Sequence, residues 1–227
     1  MIADKREFSR GLLLMAAFVV VLILMFVPIF GGKNALEYSD DLYNSISKQS
    51  AYYIPATREK VDAFGSKPVA MALDVGESDI AETARLFEAA GAATRTEGGM
   101  LNVEGDIAAI LKSCVEDADA MFGNQGKELE DQYGFDARRA LYHWWVALKA
   151  MDKNLGKQKL FKEAKLADTV NKKAVEPAYN YYGIEPQKLS ERLGVVLFSL
   201  VFYVVYTLWY GFGIMFLLEG WGMRLEH

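Results

Sequence analysis

The stretch that decides the fold class is LGVVLFSLVFYVVYTLWYGFGIMFLL, Leu193 to Leu218, which contains no charged side chain over 26 residues. A second stretch, GLLLMAAFVVVLILMFVPIF, runs from Gly11 to Phe30 and is uncharged over 20 residues. An α-helix rises about 1.5 Å per residue, so each stretch is long enough to cross a hydrocarbon core roughly 30 Å thick. The sequence therefore predicts two transmembrane helices near the ends of the chain.

Positive charge before the first of these helices predicts its orientation. Lys5, Arg6 and Arg10 precede it, and basic residues concentrate on the cytoplasmic side of a membrane. A cleaved signal peptide is the alternative, but its apolar core is usually about 7 to 15 residues long, and GGKNALEY downstream offers no clear A-x-A cleavage site. We therefore expect an uncleaved signal-anchor in the cell (inner) membrane, with both termini cytoplasmic and residues 33–192 exported.

This topology divides the chain into five segments: a cytoplasmic N-terminus (1–10), transmembrane helix 1 (11–30), an exported domain (31–192), transmembrane helix 2 (193–218) and a cytoplasmic C-terminus (219–227). The exported segment is long enough for one hydrophobic core and short for two, so we expect one domain. The final residues Leu-Glu-His, 225–227, are typical of the junction between a vector and a polyhistidine tag. We give them no functional meaning.

Composition argues against several ligands. The chain has 30 acidic and 25 basic residues, so it lacks the basic field that nucleic-acid binding requires. Its single cysteine, Cys114, excludes an internal disulfide and every metal or c-type haem motif built on paired cysteines. We therefore expect no nucleic-acid partner and no cofactor, and the fold must be stabilised by packing.

A β-α-β-β-α module is predicted in the first half of the exported segment. VAMALDV, Val69 to Val75, is typical of a buried strand and precedes a helix that ends near Ala90. Gly98 and Gly99 then mark a two-residue hairpin between strands 93–97 and 100–104. Asp106 should cap the next helix, in which seven apolar residues share one face: Ile107, Ile110, Leu111, Cys114, Ala118, Met121 and Phe122.

Two amphipathic helices are predicted in the second half. Apolar residues recur at steps of three and four, first at Ala137, Leu141, Trp144, Leu148, Met151 and Leu155, and then at Leu160, Ala164, Ala167, Val170, Ala174, Ala178 and Tyr181. We expect antiparallel helices joined near Gly156, with Pro177 kinking or ending the second and Pro186 starting a further helix. The predicted fold class is an α+β membrane protein, with two transmembrane helices flanking one exported domain that contains this module and a helical hairpin.

The residues most often used in catalysis lack partners in this sequence. His143 lies about 120° around its helix from Trp144 and Leu148, which predicts an exposed structural histidine. Cys114 lies on an apolar face, where a buried side chain is expected in place of a nucleophile. We therefore predict a protein that is not an enzyme.

Two acidic clusters raise the possibility of a metal site. They comprise Asp74, Glu77 and Asp79 in one segment and Glu116, Asp117 and Asp119 in another. Neither has the spacing of an EF-hand, and acidic residues are common at helix starts and on solvated helix faces. We predict no metal ligand in either cluster.

The second apolar helix has two different faces. Seven residues fall within an arc of about 100° when projected at 100° per residue: Ser199, Tyr203, Tyr206, Tyr210, Gly213, Leu217 and Gly220. Aromatic belts lie at the headgroups, whereas Tyr206 is at the centre of this span. We predict that these seven residues form an interface with protein, because a buried phenol needs a hydrogen-bond partner and glycine permits close approach.

The sequence predicts what kind of molecule this interface binds, but not its identity. The first apolar helix offers no polar side chain, and its carbonyls are already engaged in the helix, so we expect another membrane polypeptide or further copies of this chain. The alternative is that the tyrosines pack on the first helix and bond locally, for example Ser199 with Tyr203. Membrane lipid should cover the remaining surface.

Three classes of function fit these features. We favour a non-enzymatic assembly or scaffold subunit that uses its second transmembrane helix and an exported interaction domain. A homo-oligomeric pore or channel subunit is the first alternative; the absence of ionisable residues within either span argues against a proton pathway through it. The second alternative is an extracytoplasmic accessory protein that senses a ligand or acts as an enzyme, but the sequence contains neither a cytoplasmic output domain nor a recognisable catalytic set.

Overall fold

The two uncharged stretches form helices α1 (Lys5–Met25) and α10 (Leu189–Gly220). A computed structural model of the protein describes residues 2–223. The residues assigned to a tag junction, 225–227, lie outside this range. Within it, the chain forms two compact units, one of residues 2–46 and 186–223 and the other of Ser47–Glu185, which we call the central unit. Both α1 and α10 are long and apolar enough to cross a membrane.

The ends of α1 follow from its flanking residues. Asp4 caps its start, because its Oδ1 accepts hydrogen bonds from the backbone N–H groups of Arg6 and Glu7 at 2.8 and 3.2 Å. The helix ends at Met25, before the Phe30 predicted from hydrophobicity. Pro28 disfavours helical geometry at the residue before it and lacks an N–H to donate, which explains the earlier end.

Helix α2 (Ala35–Ser50) follows α1 along the chain. Asn34 and Glu37 form a reciprocal cap at its start. The Asn34 Oδ1 accepts from the Leu36 and Glu37 N–H groups at 2.9 Å, and the Glu37 carboxylate accepts from the Asn34 N–H at 2.9 Å. The chain therefore begins a new helix ten residues after α1 ends.

The central unit contains a three-stranded antiparallel sheet in the order β1-β3-β2. Its strands are β1 (Pro68–Leu73), β2 (Ala93–Glu97) and β3 (Met100–Asp106). Gly98 and Gly99 both have positive φ, 58° and 75°, which matches the two-residue hairpin turn predicted from the sequence. The predicted β-α-β-β-α module is confirmed.

The remaining helices of the central unit surround one hydrophobic core. They are α3 (Ile54–Phe64), α4 (Ile80–Ala89), α5 (Ile107–Phe122), α6 (Gly126–Tyr133), α7 (Ala137–Lys157), α8 (Phe161–Val170) and α9 (Glu176–Tyr181). Asp106 caps α5 as expected, with its Oδ1 accepting from the Ala109 N–H at 2.9 Å. Trp144 and Leu148 are fully buried, which confirms the apolar face predicted for α7. The fold is mixed α+β and mostly helical.

Prolines affect two helices of the central unit. Pro177 was expected to kink or end a helix, and the helical segment that contains it is irregular in the turn just before it. The irregularity is a π-helical turn at Asn171–Val175 that joins α8 to α9. Pro55 opens α3. Helices α3 and α6 were not predicted from the sequence, and α6 is short and polar.

Candidate functional site

The helix pair, α1 with α10, is packed through glycine. Gly11, Gly213 and Gly220 are the buried residues of these two helices. A Cβ built on Gly220 would lie 2.5 Å from the Phe8 backbone nitrogen, and one built on Gly213 would lie 2.7 Å from the Met15 Sδ. The neighbour of Gly220 is backbone, which cannot move aside, so the close approach of the two helices there requires a residue without a side chain; at Gly213 the flexible Met15 side chain can shift to admit a small one.

Two polar side chains of α10 donate to the backbone of α1. The Tyr206 hydroxyl bonds the Phe18 carbonyl oxygen at 2.9 Å, and the Trp209 Nε1 bonds the Leu14 carbonyl oxygen at 3.0 Å. A carbonyl oxygen has two lone pairs, so it can accept from a side chain while it also accepts within its own helix. The expectation that α1 could not satisfy Tyr206 was therefore wrong.

The contact face of α10 is rotated from the predicted one by part of a turn. Tyr206, Gly213 and Gly220 belong to both the predicted face and the observed contact face. The Leu217 backbone nitrogen approaches Gly11. The neighbouring aromatic positions are Phe202 and Trp209, which are half-buried. The Tyr206 ring stacks on Phe18 with ring centroids 4.2 Å apart, and on Phe202 at 5.3 Å.

Sequence reasoning missed Phe202 and Trp209, although the spacing contains the signal. Residues of the contact face recur at alternating steps of three and four: Ser199, Phe202, Tyr206, Trp209, Gly213, Phe216 and Gly220. Ser199 accepts or donates a hydrogen bond with the Tyr43 hydroxyl of α2 at 2.5 Å and donates to the Val196 carbonyl at 2.8 Å. The local Ser199–Tyr203 bond considered above is not formed.

Tyr203 and Tyr210 lie beside the contact face, and with Thr207 and Gly211 they form what we call the flank of α10. The Tyr203 side chain is 68% exposed and that of Tyr210 is 44% exposed. Neither hydroxyl makes a hydrogen bond with any residue in the range 2–223. Thr207 bonds back to the Tyr203 carbonyl at 2.7 Å, and a side chain on Gly211 would meet nothing within 4 Å. The flank therefore presents the Tyr203 phenol and a small-residue surface outward, whereas the Tyr210 ring also packs on Phe18 of α1 with centroids 5.2 Å apart.

An apolar cavity of about 290 Å³ lies where α1, α2 and α10 meet. Aromatic and aliphatic side chains line it, including Met25, Phe30, Tyr38, Leu42, Phe198 and Phe202. The Phe30 and Tyr38 rings stack with centroids 5.1 Å apart. This arrangement can accept a hydrocarbon group, and it offers no charged side chain to a polar ligand.

His143 is buried, so the prediction that it is exposed was wrong. Its side chain is 1% exposed, and its Nε2 lies 2.7 Å from the Glu82 carboxylate of α4. Arg139 pairs with the same carboxylate at 2.8 Å. A general base must reach a substrate, and an enclosed imidazole that is held by a carboxylate and packed edge-on against Phe135 cannot do so in this arrangement. We assign His143 a packing role.

The acidic cluster at the end of α5 serves tertiary structure. Asp117 is buried, and its Oδ2 accepts from the Tyr133 hydroxyl and the Trp144 Nε1, both at 2.7 Å. Burial raises the pKa of Asp117 to about 6, although these two hydrogen bonds oppose the rise. Asp119 accepts from Tyr52 at 2.7 Å and from Arg58 at 2.8 Å. Both carboxylates therefore connect α5 to other elements.

Cys114 and Lys48 are further buried groups of the central unit. Cys114 is fully buried, as predicted, and burial raises the pKa of its thiol, which disfavours the nucleophilic thiolate. The Lys48 Nζ donates to the Ile184 carbonyl at 2.7 Å and to Asn124 Oδ1 at 3.2 Å, and burial lowers the pKa of this lysine. Asn124 has a φ of 61°, which asparagine tolerates. Lys48 thus joins the two ends of the central unit.

No protein-family model, curated protein or solved structure matches this chain. The function therefore has to be inferred from the chemistry of the described residues. On α10, Tyr206 and Trp209 donate hydrogen bonds to α1, whereas the Tyr203 and Tyr210 hydroxyls make no hydrogen bond with a described residue and Tyr203 faces outward.

Proposed function

We propose that this protein is a non-enzymatic assembly or scaffold subunit of a membrane complex, and that the flank of α10 binds another polypeptide. One observation carries the proposal: the Tyr203 side chain is 68% exposed on an apolar helix, and its hydroxyl makes no hydrogen bond within residues 2–223. In hydrocarbon an unpaired hydroxyl costs roughly 2 to 7 kcal/mol. A second polypeptide that supplies an acceptor removes this cost.

The depth of Tyr203 excludes the usual explanation for exposed tyrosine. Helix α10 runs from Leu189 to Gly220, so its midpoint falls near residue 204. Tyr203 is within about one helical turn of that midpoint, whereas aromatic belts lie at the membrane surfaces. Tyr210 is about two turns further along the same side of the helix. Another membrane helix can supply a hydrogen-bond acceptor at this depth.

Small residues on the flank favour a helix as the partner. Thr207 and Gly211 are four residues apart, and the position of Gly211 is open to any approaching backbone. Small residues at this spacing let two membrane helices come close enough for interhelical hydrogen bonds. The partner helix is either a different membrane polypeptide or another copy of this chain.

The proposed topology places both termini in the cytoplasm and the central unit outside it, in the cell (inner) membrane. Lys5, Arg6 and Arg10 near the start of α1 support it. Single cysteines at Ser9 and at Thr96 in a Cys114→Ala background test it, because both positions are exposed. An impermeant thiol reagent added to intact cells should label the cysteine at Thr96 and spare the one at Ser9. The reverse pattern would contradict the topology.

The native mass of the purified complex tests the assembly role. We expect a particle heavier than one chain in its detergent belt, with Gly211→Leu shifting it toward the monomer. Gly194→Leu is the matched control, because Gly194 is also open but lies on the far side of α10 from Tyr203 and Thr207. A particle built only of this chain would favour the homo-oligomeric alternative, and co-purifying chains a heteromeric complex. A monomer in both variants and in the unaltered protein refutes the proposal.

A further inference from the structure

A cavity of about 360 Å³ lies in the central unit where α7 meets α9. Three aromatic rings and one carboxylate are among its lining residues: Tyr142, Trp145, Tyr179 and Glu176. Pockets that bind small molecules begin at about this volume and combine apolar walls with a few polar groups. Neither the membrane helices nor the proposed assembly role uses these residues.

The rings are arranged to present aromatic faces. Tyr142 and Trp145 are three residues apart on α7, and their rings are nearly parallel, at 26° with centroids 6.2 Å apart. Tyr179 reaches the same cavity from α9. Tyr142 and Tyr179 remain 44% and 43% exposed, so large apolar surfaces stand open to solvent. Such a wall of rings attracts cations, because each ring face carries partial negative charge.

The carboxylate is held in place by the same wall. The Trp145 Nε1 donates to Glu176 Oε1 at 3.1 Å, which fixes the side chain against the ring. Among the described residues no basic side chain lies within ion-pair distance of Glu176, although Lys172, one turn earlier, interacts with it electrostatically. A fixed, half-buried negative charge beside aromatic faces favours a cationic ligand and repels an anionic one.

A cation already rests on one of these rings. The Lys149 Nζ lies 3.4 Å from the centroid of the Trp145 ring. The Lys149 ammonium therefore covers one face of Trp145, and a cationic ligand has to displace this exposed, flexible side chain to contact that face. A quaternary ammonium group suits this surface, because ring faces dominate the lining, and its polar groups include one carboxylate, two phenol hydroxyls and the Asn180 amide.

We propose that this cavity binds the quaternary ammonium group of a small organic cation, with Tyr142, Trp145 and Tyr179 contacting its methyl groups and Glu176 balancing its charge. The probe is choline, titrated by calorimetry into the full-length protein in a maltoside detergent. A detergent with a choline headgroup would compete with the probe. We expect saturable binding in the micromolar to millimolar range.

A neutral isostere separates charge from shape. 3,3-Dimethylbutan-1-ol has the outline of choline without its charge, so we expect it to bind at least about tenfold more weakly. Glu176→Gln should weaken choline binding by about tenfold, and Tyr179→Leu by several-fold. Glu130→Gln removes an exposed carboxylate elsewhere and should change nothing. Thermal unfolding of each variant verifies that it remains folded.

Three results would each overturn the proposal. They are equal affinity for choline and its neutral isostere, unchanged affinity in both Glu176→Gln and Tyr179→Leu, and no saturable binding of choline at up to about 10 mM. Because Tyr142→Phe keeps the ring and loses only the hydroxyl, it should bind choline like the unaltered protein. A large loss in that variant would assign the affinity to the hydroxyl and would also count against an aromatic cation site.

Discussion

The central unit and the helix pair bury opposite kinds of residue. The largest fully buried side chains of the central unit include Trp144, Phe87 and Leu141, whereas the buried residues of α1 and α10 are glycines. In water, burial of large apolar side chains drives folding. Between helices in lipid that drive is absent, and close backbone approach takes its place. The contrast agrees with the finding that α1 and α10 are long and apolar enough to cross a membrane.

Buried polar groups follow the same contrast. In the central unit a tyrosine and a tryptophan, Tyr133 and Trp144, donate to the carboxylate of Asp117. In the helix pair a tyrosine and a tryptophan, Tyr206 and Trp209, donate to backbone carbonyls. Carbonyls carry no charge to desolvate, so they are the acceptors suited to a span, whereas a carboxylate can be maintained in a domain surrounded by water.

The largest expected difference comes from deleting the same side-chain atoms in each region. Leu148→Ala in the core should lower the free energy of unfolding by about 2 to 5 kcal/mol, because it leaves a cavity. Leu208→Ala, at a position 55% exposed on α10, should change it by no more than about 0.5 kcal/mol. Urea unfolding of the full chain in detergent, followed by circular dichroism, measures both. Equal losses would erase the distinction between the two regions.

The buried carboxylate of Asp117 should make the stability of the central unit depend on pH. The pKa of Asp117 is about 6 in the folded state, against the ordinary value of 3.8 in the unfolded chain. The native state therefore binds the proton more tightly than the unfolded state does. That stabilisation is complete below about pH 3.8 and is lost as pH rises through 6. Asp117→Asn keeps an acceptor and removes the titration. Relative to the unaltered protein, this variant should therefore gain about 2 to 3 kcal/mol between pH 4 and pH 7.5.

Urea midpoints at pH 4, 6 and 7.5 test that difference. Glu130→Gln is the control, because it removes an exposed carboxylate on α6 and should leave the pH profile unchanged. A variant and an unaltered protein with parallel profiles would mean that Asp117 does not titrate in this window.

Adding side-chain volume between α1 and α10 should destabilise the helix pair, just as removing side-chain volume destabilises the core of the central unit. A Cβ at Gly220 would meet the backbone of Phe8 at 2.5 Å, so Gly220→Ala should cost about 1 to 3 kcal/mol of pairing energy. Gly156→Ala is the same change inside α7, where nothing lies within 4 Å, and it should stabilise the central unit by up to about 1 kcal/mol.

A disulfide between α1 and α10 measures how closely the two helices pair. A Cβ on Gly213 would lie 3.7 Å from the Leu14 Cβ, which is within the range of disulfide geometry. Cysteines at these two positions in a Cys114→Ala background should oxidise readily, and less so when Gly220→Ala is added. If Gly220→Ala leaves the yield unaltered, the close approach of α1 and α10 is not what holds the pair.

The sequence predicts elements well where one face is apolar and the other polar. Trp144 and Leu148 were placed correctly because α7 is amphipathic, and Gly98-Gly99 identified the hairpin. His143 was misplaced because α4, which is 61 residues away along the chain, supplies the Glu82 that covers it. The spacing of residues within one helix cannot predict the burial of a side chain by an element that is distant in the sequence.

The contact face of α10 was harder to predict for a different reason. Nearly every side chain there is apolar, so hydrophobicity does not distinguish the side that meets α1 from the exposed side. Tyr206 and Gly213 correctly identified the side that meets α1. The predicted face also included the tyrosines at 203 and 210, and for that reason it left out Phe202 and Trp209. The choice between them depends on packing against α1.

The smallest effect, and the sharpest test of the two faces of α10, comes from removing single hydroxyl groups. Tyr206→Phe keeps the ring that stacks on Phe18 at 4.2 Å and loses only the bond to the Phe18 carbonyl, so it should weaken α1–α10 pairing by about 0.6 to 2 kcal/mol. Tyr203→Phe has no such bond to lose and should leave the disulfide equilibrium between Leu14→Cys and Gly213→Cys unchanged. Association with other chains should respond in the opposite way, falling in Tyr203→Phe and persisting in Tyr206→Phe. Equal responses of both variants in both assays would mean that α10 has one functional face, and the flank would lose its assigned role.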